Sequence, residues 1–243
     1  MTDLLARRPG LLVLIDPSRT DPAQAALVAR AAAAANAAGI LIGGSFDGTR
    51  ETHQVAAAAR AAAGGLPVGL FPGSAMQLTD QVDVILFLSL VSGRNAQYLI
   101  EEHVRAVPFL QRHHVPVLST AYLLIDGGRV TSVEAVSQTR PLPANKPELA
   151  AAHAHAARLI GMQGVYLDAG SGAERPVPPT VISAVRAVVG DAPVFVGGGI
   201  STPQAAAAAR VAGADFIVVG TALEGGTLPP LGDLARAARE GRA

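Results

Sequence analysis

A closed α/β barrel of parallel strands, each followed by a helix, is the fold this sequence predicts: a (β/α)8 or TIM barrel. Three observations point to it. Short runs of β-favouring apolar residues alternate with longer helix-like stretches in roughly eight units along the chain. The short runs are continuously apolar rather than alternating, as strands covered on both faces should be. The 243 residues suit a barrel that takes ~250 residues as one unit, so one domain spanning residues 1–243 is expected.

The first unit is Leu11–Ile15 with Ala23–Ala38, stopped by Gly39, a favoured helix terminator. The second is Ile40–Ile42 with Arg50–Ala63, stopped by Gly64 and Gly65. The third strand, Pro67–Phe71, leads into Gly73–Gln81, which is short and glycine-led, so its helix should be stunted or replaced by irregular chain. Next come Val82–Ser89 with Ala96–Arg112, then Val115–Leu118 leading into Tyr122–Val133, where Asp126-Gly127-Gly128 reads as a hairpin turn. Asn145–Ile160 is helix-like, with Pro147 near its start, where proline is tolerated. The last units are Val165–Leu167 with Val177–Val189, Val194–Val196 with Pro203–Ala212, and Phe216–Val219 with Leu231–Glu240. An open doubly wound sheet is the alternative, and the missing GxGxxG after the first strand weighs against it.

Composition excludes several classes of function. The chain has 19 basic and 19 acidic residues and a formal net charge of zero, which argues against a nucleic-acid binder. It has no cysteine, so disulfides, thiolate metal sites and cysteine nucleophiles are ruled out together. No apolar run approaches the ~18 residues of a membrane span. Arg7 and Arg8 precede Leu11–Ile15, but Asp16 cuts that run short of a signal-peptide core; a cytoplasmic protein is expected. The alanine runs 31–35, 56–59 and 205–209 read as compositional drift towards a good helix former, and no function is built on them.

In such barrels the active site lies at the C-terminal ends of the strands. There this chain places Asp16 after strand one, Ser45 after strand two and Asp168 after strand six, and glycine-rich loops after strands six, seven and eight. Gly197-Gly198-Gly199 and Gly220-Thr221 would let backbone N–H groups approach a phosphate beside a helix N-terminus, with Gly170-Ser171-Gly172 offering further donors. Asp16 and Ser45, on neighbouring strand ends, suit magnesium, which takes carboxylate, hydroxyl, water and phosphate oxygens. Asp21 and Thr20 are better placed than Asp16 to cap the next helix. The histidines form no triad, and His153 and His155, two apart, do not share a helix face. Lys146, the only lysine, precedes a helix, so no strand carries a Schiff-base lysine.

Several stretches together resemble the geranylgeranylglyceryl phosphate synthase family, with its bacterial heptaprenylglyceryl phosphate relatives. They are Leu14-Ile15-Asp16-Pro17, Gly43-Gly44-Ser45, Phe71-Pro72-Gly73-Ser74, Ser92-Gly93-Arg94-Asn95, Ser119–Leu124, Tyr166–Ala173 and Gly197–Ile200. They keep the family's order and cover nearly the whole chain. The resemblance implies a barrel with an irregular third helix. It implies transfer of a prenyl group, geranylgeranyl in the first place, from a prenyl diphosphate to the 3-hydroxyl of sn-glycerol 1-phosphate, releasing diphosphate. It further implies Mg2+ held by Asp16 and Ser45. The acceptor would be bound by Tyr166, Leu167, Asp168, Ala169, Gly170, Ser171, Gly172, Gly198, Gly199, Gly220 and Thr221. Asp168 would take the hydroxyl's hydrogen bond and proton, and Tyr166 would orient the polar head. An apolar groove would hold the prenyl tail, and a homo-oligomer is expected.

The chain departs from the family pattern at two places: Asp168 stands where glutamate is usual, and Ser18-Arg19 where Asp-Lys is usual. Other readings are a phosphosugar isomerase or cyclase, which would need a proton-transfer pair such as Asp16 and Asp168, or a non-catalytic phosphate-binding barrel.

Overall fold

The computed structural model describes residues 2–44, 50–220 and 230–242. Eight strands form a closed barrel, each parallel to its neighbours in chain order, and the last pairs with the first. They are β1 (Gly10–Ile15), β2 (Gly39–Ile42), β3 (Val68–Leu70), β4 (Val84–Leu90), β5 (Val117–Leu124), β6 (Gly164–Asp168), β7 (Val194–Gly197) and β8 (Phe216–Val219). The helices are α1 (Thr2–Leu5), α2 (Pro22–Ala34), α3 (Thr52–Ala62), α4 (Glu102–His113), α5 (Ser132–Ser137), α6 (Pro147–Leu159), α7 (Pro179–Val189), α8 (Pro203–Val211) and α9 (Leu231–Glu240). Asp21 caps α2 as expected, its Oδ1 accepting from the Gln24 N–H at 2.8 Å.

The period-two alternation of each strand divides the core into two layers. Leu11, Val13 and Ile15 of β1 pack outward against the helices, whereas Leu12 faces the barrel interior. The alanine runs have a structural use. Ala32 of α2, Ala56 and Ala59 of α3, and Ala206, Ala207 and Ala209 of α8 are all buried in the core that the helices share with the strands. Small side chains let these helices lie close to the sheet, so the drift toward alanine became packing rather than idle surface. At the N-terminal end of the barrel, Leu4 of α1 is buried beside Gly39 and Leu12.

Inside the barrel, Tyr122, Tyr166, Phe195 and Phe216 occupy facing positions on β5, β6, β7 and β8. Their rings follow one another at centroid distances of 5.5, 6.0 and 4.9 Å, all stacked. The sequence has only nine aromatic residues, so four of them in one layer mark where bulk is concentrated.

Two expectations need correcting. β5 runs unbroken from Val117 to Leu124, and Asp126–Gly128 is not a hairpin. Gly127 is wedged against Ala169, and its carbonyl accepts from the N–H groups of Glu174 and Arg175, so this loop is tied to the loop after β6. The helix read over Ala96–Arg112 begins with a π-helical turn, Gln97–Glu101, before α4 proper. The weak third unit is as expected: between β3 and β4 there is only a 3-10 turn, Ala75–Gln77.

Candidate functional site

The C-terminal ends of the strands surround two adjoining depressions. The first is a polar basin lined by Asp16, Tyr166, Asp168, Ser171, Gly172, Gly198, Gly199 and Gly220, together with Gly43, Gly44, Phe71 and Ser201. The second is an apolar cleft walled by Phe71, Leu78, Phe87, Leu88, Tyr98, Ala106, Tyr122, Val133 and Val136. Gly44 and Phe71 belong to both.

The basin brings together most of the residues singled out in the sequence. Among the described residues Leu167, Ala169 and Gly170 are the exceptions. Strand alternation turns the side chains of Leu167 and Ala169 into the helix-facing core, so only their main chain could serve a ligand. The Gly170 N–H is also committed, donating to Asp168 Oδ1 at 2.8 Å. Ser45 and Thr221 lie outside the described residues.

Asp168 ends β6 and is 8% exposed. Its Oδ2 accepts from the Tyr122 hydroxyl at 2.5 Å. Burial pushes its carboxyl above the ordinary carboxylate range, against the opposing pull of the Tyr122 and Gly170 hydrogen bonds. Tyr122 and Tyr166 are pushed well above the usual phenol value, first by burial and then by the nearby Asp168 charge. Both phenols therefore stay protonated, and Tyr122 serves Asp168 as a donor. Tyr122 stands in a motif quoted above but was given no role there. Only the register Tyr122↔Tyr166 on adjacent strands places it beside Asp168.

The loop after β7 fits this pair closely. Gly198 has φ +79, and a Cβ there would lie 2.6 Å from both Asp168 Oδ1 and Gly170 N. A side chain at this position would be strained and would displace the carboxylate. Thr202 caps α8 immediately afterwards, accepting from the Ala205 N–H. Across the basin, the Asp16 carboxylate lies against the Cα of Gly44. Its Oδ1 accepts from the Ser18 N–H and hydroxyl at 2.9 and 2.7 Å. A carboxylate facing a basin rimmed by glycine main chain is a donor set that fits magnesium, which takes one or two carboxylates and completes its shell with water and phosphate oxygens.

The cleft opens where the third helix is missing. Gln77 of the 3-10 turn is 1% exposed. Its Oε1 accepts from the Gly73 N–H at 2.6 Å, and its Nε2 donates to the Gly44 carbonyl at 3.3 Å, tying the cleft wall to the loop after β2. Glu102 Oε2 accepts from the Ala75 N–H at 2.7 Å, fastening the same turn to α4. The Ser92–Asn95 motif supports the far wall. Ser92 Oγ accepts from the Leu124 N–H, and Asn95 Nδ2 donates to the carbonyl of Ser137 at the end of α5. His103 lines the cleft as well. It packs on Phe87 at 4.2 Å and is hydrogen-bonded to the Leu88 carbonyl at 2.7 Å. Burial lowers its pKa, keeping it neutral against the apolar wall.

Fold and site together define the class: a TIM barrel with a glycine-built basin at the ends of β6–β8 and an apolar cleft in place of its third helix. The PcrB family model matches residues 2–233, and the chain belongs to the PcrB family. It is 41% identical over 220 residues to the geranylgeranylglyceryl phosphate synthase of Spirosoma linguale, covering 90% of this chain and 88% of that protein. The corresponding protein of Methanothrix thermoacetophila is 41% identical over 213 residues, covering 88% and 83%. Among solved structures, the (S)-3-O-geranylgeranylglyceryl phosphate synthase of Thermoplasma acidophilum, in complex with its substrate sn-glycerol-1-phosphate, superposes with a TM-score of 0.90. It is 33% identical, with 98% of this chain and 97% of that chain covered.

Proposed function

We propose that this protein transfers a prenyl group from a prenyl diphosphate to the 3-hydroxyl of sn-glycerol 1-phosphate, with geranylgeranyl diphosphate as the first donor to try. The observation that carries this reading is the pairing of a polar, glycine-rimmed basin with an apolar cleft across a shared wall of Gly44 and Phe71. An acceptor phosphate suits the loops after β6, β7 and β8, where main-chain N–H groups and the start of α8 favour anions. A prenyl tail suits the cleft. The similarity to synthases from several organisms, one solved with sn-glycerol-1-phosphate, supports the same assignment.

The residues then divide the work. The cleft holds the tail and excludes water, while the basin holds the acceptor with its hydroxyl toward Asp168. Asp168 accepts the hydroxyl's hydrogen bond and its proton as the ether bond forms, a role suited to a carboxylate whose pKa burial has raised. The Tyr122 phenol steadies the carboxylate's other oxygen, and Tyr166 forms the floor beneath. Asp16, with Ser45, would hold Mg2+, which when bound neutralises the leaving diphosphate as a Lewis acid. Zero net charge is consistent with this arrangement, since metal and main-chain N–H groups need no basic surplus to receive anionic substrates.

The reading includes a homo-oligomer. Ile100, Val104 and Val107 follow one another at helical spacing and are 56%, 64% and 43% exposed, an apolar row that a second copy could cover; light scattering tests it. Among the described residues no helix is long and apolar enough to cross a membrane. The decisive assay is purified protein with Mg2+, sn-glycerol 1-phosphate and donors from C15 to C35. Ether formation is expected, and no product with any donor would overturn the reading.

A further inference from the structure

Phe71 has a chemical use beyond packing, and the inference rests on the transfer reading above. Phe71 follows β3, is only partly buried and, among the described residues, is the one side chain with a Cβ that lines both basin and cleft. Its ring stacks on Tyr166 at 4.7 Å and tilts against Tyr122 at 6.0 Å. A donor carbon passing from the cleft to an acceptor in the basin therefore reacts beside this ring. The allylic carbon becomes positively charged as its bond to diphosphate breaks. The carboxylates nearby could capture such a carbon as an ester, whereas the negative face of a neutral aromatic ring stabilises it without forming a bond. Both neighbouring phenols are held protonated, so the three-ring cluster offers π surface and no phenolate nucleophile.

We propose that Phe71 is a catalytic residue whose ring covers C1 of the prenyl donor and stabilises the charge that develops there. The C1–O electron pair leaves with diphosphate. A lone pair of the glycerol oxygen forms the new C1–O bond, and the hydroxyl proton passes to the Asp168 carboxylate. Phe71 forms no bond and takes neither proton nor electron.

The test replaces Phe71 with mono-, di- and trifluorinated phenylalanine, which keep the ring's shape while making its face progressively less negative. The expected result is a stepwise fall in the single-turnover rate, about tenfold across the series, with melting temperature and KM for sn-glycerol 1-phosphate unchanged. Binding of a donor analogue carrying an ammonium group at the C1 position should weaken in the same steps. A flat rate and flat analogue binding across the series, in an enzyme that makes the ether, would overturn the proposal and leave Phe71 a packing residue. An unsubstituted protein that makes no ether with any donor would overturn the transfer reading instead.

Discussion

The basin and the cleft share a wall but are built in opposite ways. The basin is made of what the strands end in: Asp168 at the end of β6, glycines after β7 and β8, and an aromatic floor set by the register of β5 to β8. Its groups are held by short, specific contacts, such as Tyr122 and Gly170 on the two oxygens of Asp168. The cleft is made by what the barrel omits. A 3-10 turn replaces a helix between β3 and β4, a π-helical turn that carries Tyr98 precedes α4, and the six-residue α5 lines the cleft with Val133 and Val136. Polar selectivity thus comes from main-chain geometry at fixed positions, whereas room for an apolar tail comes from relaxing one unit of a regular repeat.

The largest expected effect removes Asp16, the residue proposed to hold the metal, from the basin and leaves the cleft alone. Asp16→Ala should abolish turnover while the melting temperature stays near that of the natural protein and binding of an uncharged prenyl alcohol is retained. If turnover survives, the metal is held elsewhere. Next is Asp168→Asn, which keeps the shape but cannot take a proton. The rate should fall about 10²- to 10⁴-fold with donor KM little changed, as initial-rate kinetics will show; a parallel loss of donor binding would mean that the two compartments are not separable.

A smaller effect concerns pH. Burial raises the Asp168 pKa, so the acid limb of the rate profile should lie above the ordinary carboxylate range. Tyr122→Phe removes a hydrogen bond that favours the ionised form and should move that limb to still higher pH. A limb that stays in place or moves down in Tyr122→Phe would contradict this. The sign for stability follows the same shift. The folded state binds this proton more tightly than the unfolded chain, so the group's contribution to stability falls as pH rises from the usual carboxylate value through the raised one.

The same contrast explains what could be read from the residues alone. The barrel, its irregular third unit and the basin's Asp16, Tyr166, Asp168 and glycines were legible because each is a local pattern at a strand end. For Leu167 and Ala169 a contiguous motif did not reveal that strand alternation sends every second side chain outward, which leaves only their main chain at the basin. Tyr122, Phe71 and Gln77 needed tertiary information. Tyr122 meets Asp168 only through the register of β5 with β6, and Gln77 meets Gly44 only because the chain after β3 folds back across β2. The Asp126-Gly127-Gly128 stretch had the right residues for a hairpin, but docking of Gly127 onto the loop after β6 prevailed over the local turn signal. The walls of the cleft were opaque, since an absent helix does not announce what lines the gap.

The central claim is that acceptor and donor occupy separate compartments that meet at one wall. The most direct measurement is a crossed pair of kinetic constants. Gly198→Ala, which strains the main chain beside Asp168, should raise KM for sn-glycerol 1-phosphate about tenfold or more and leave that for the prenyl diphosphate near its natural value. Val136→Phe, which fills the cleft from α5, should do the reverse and hit longer donors harder than shorter ones. Both constants rising together in either variant would contradict the account.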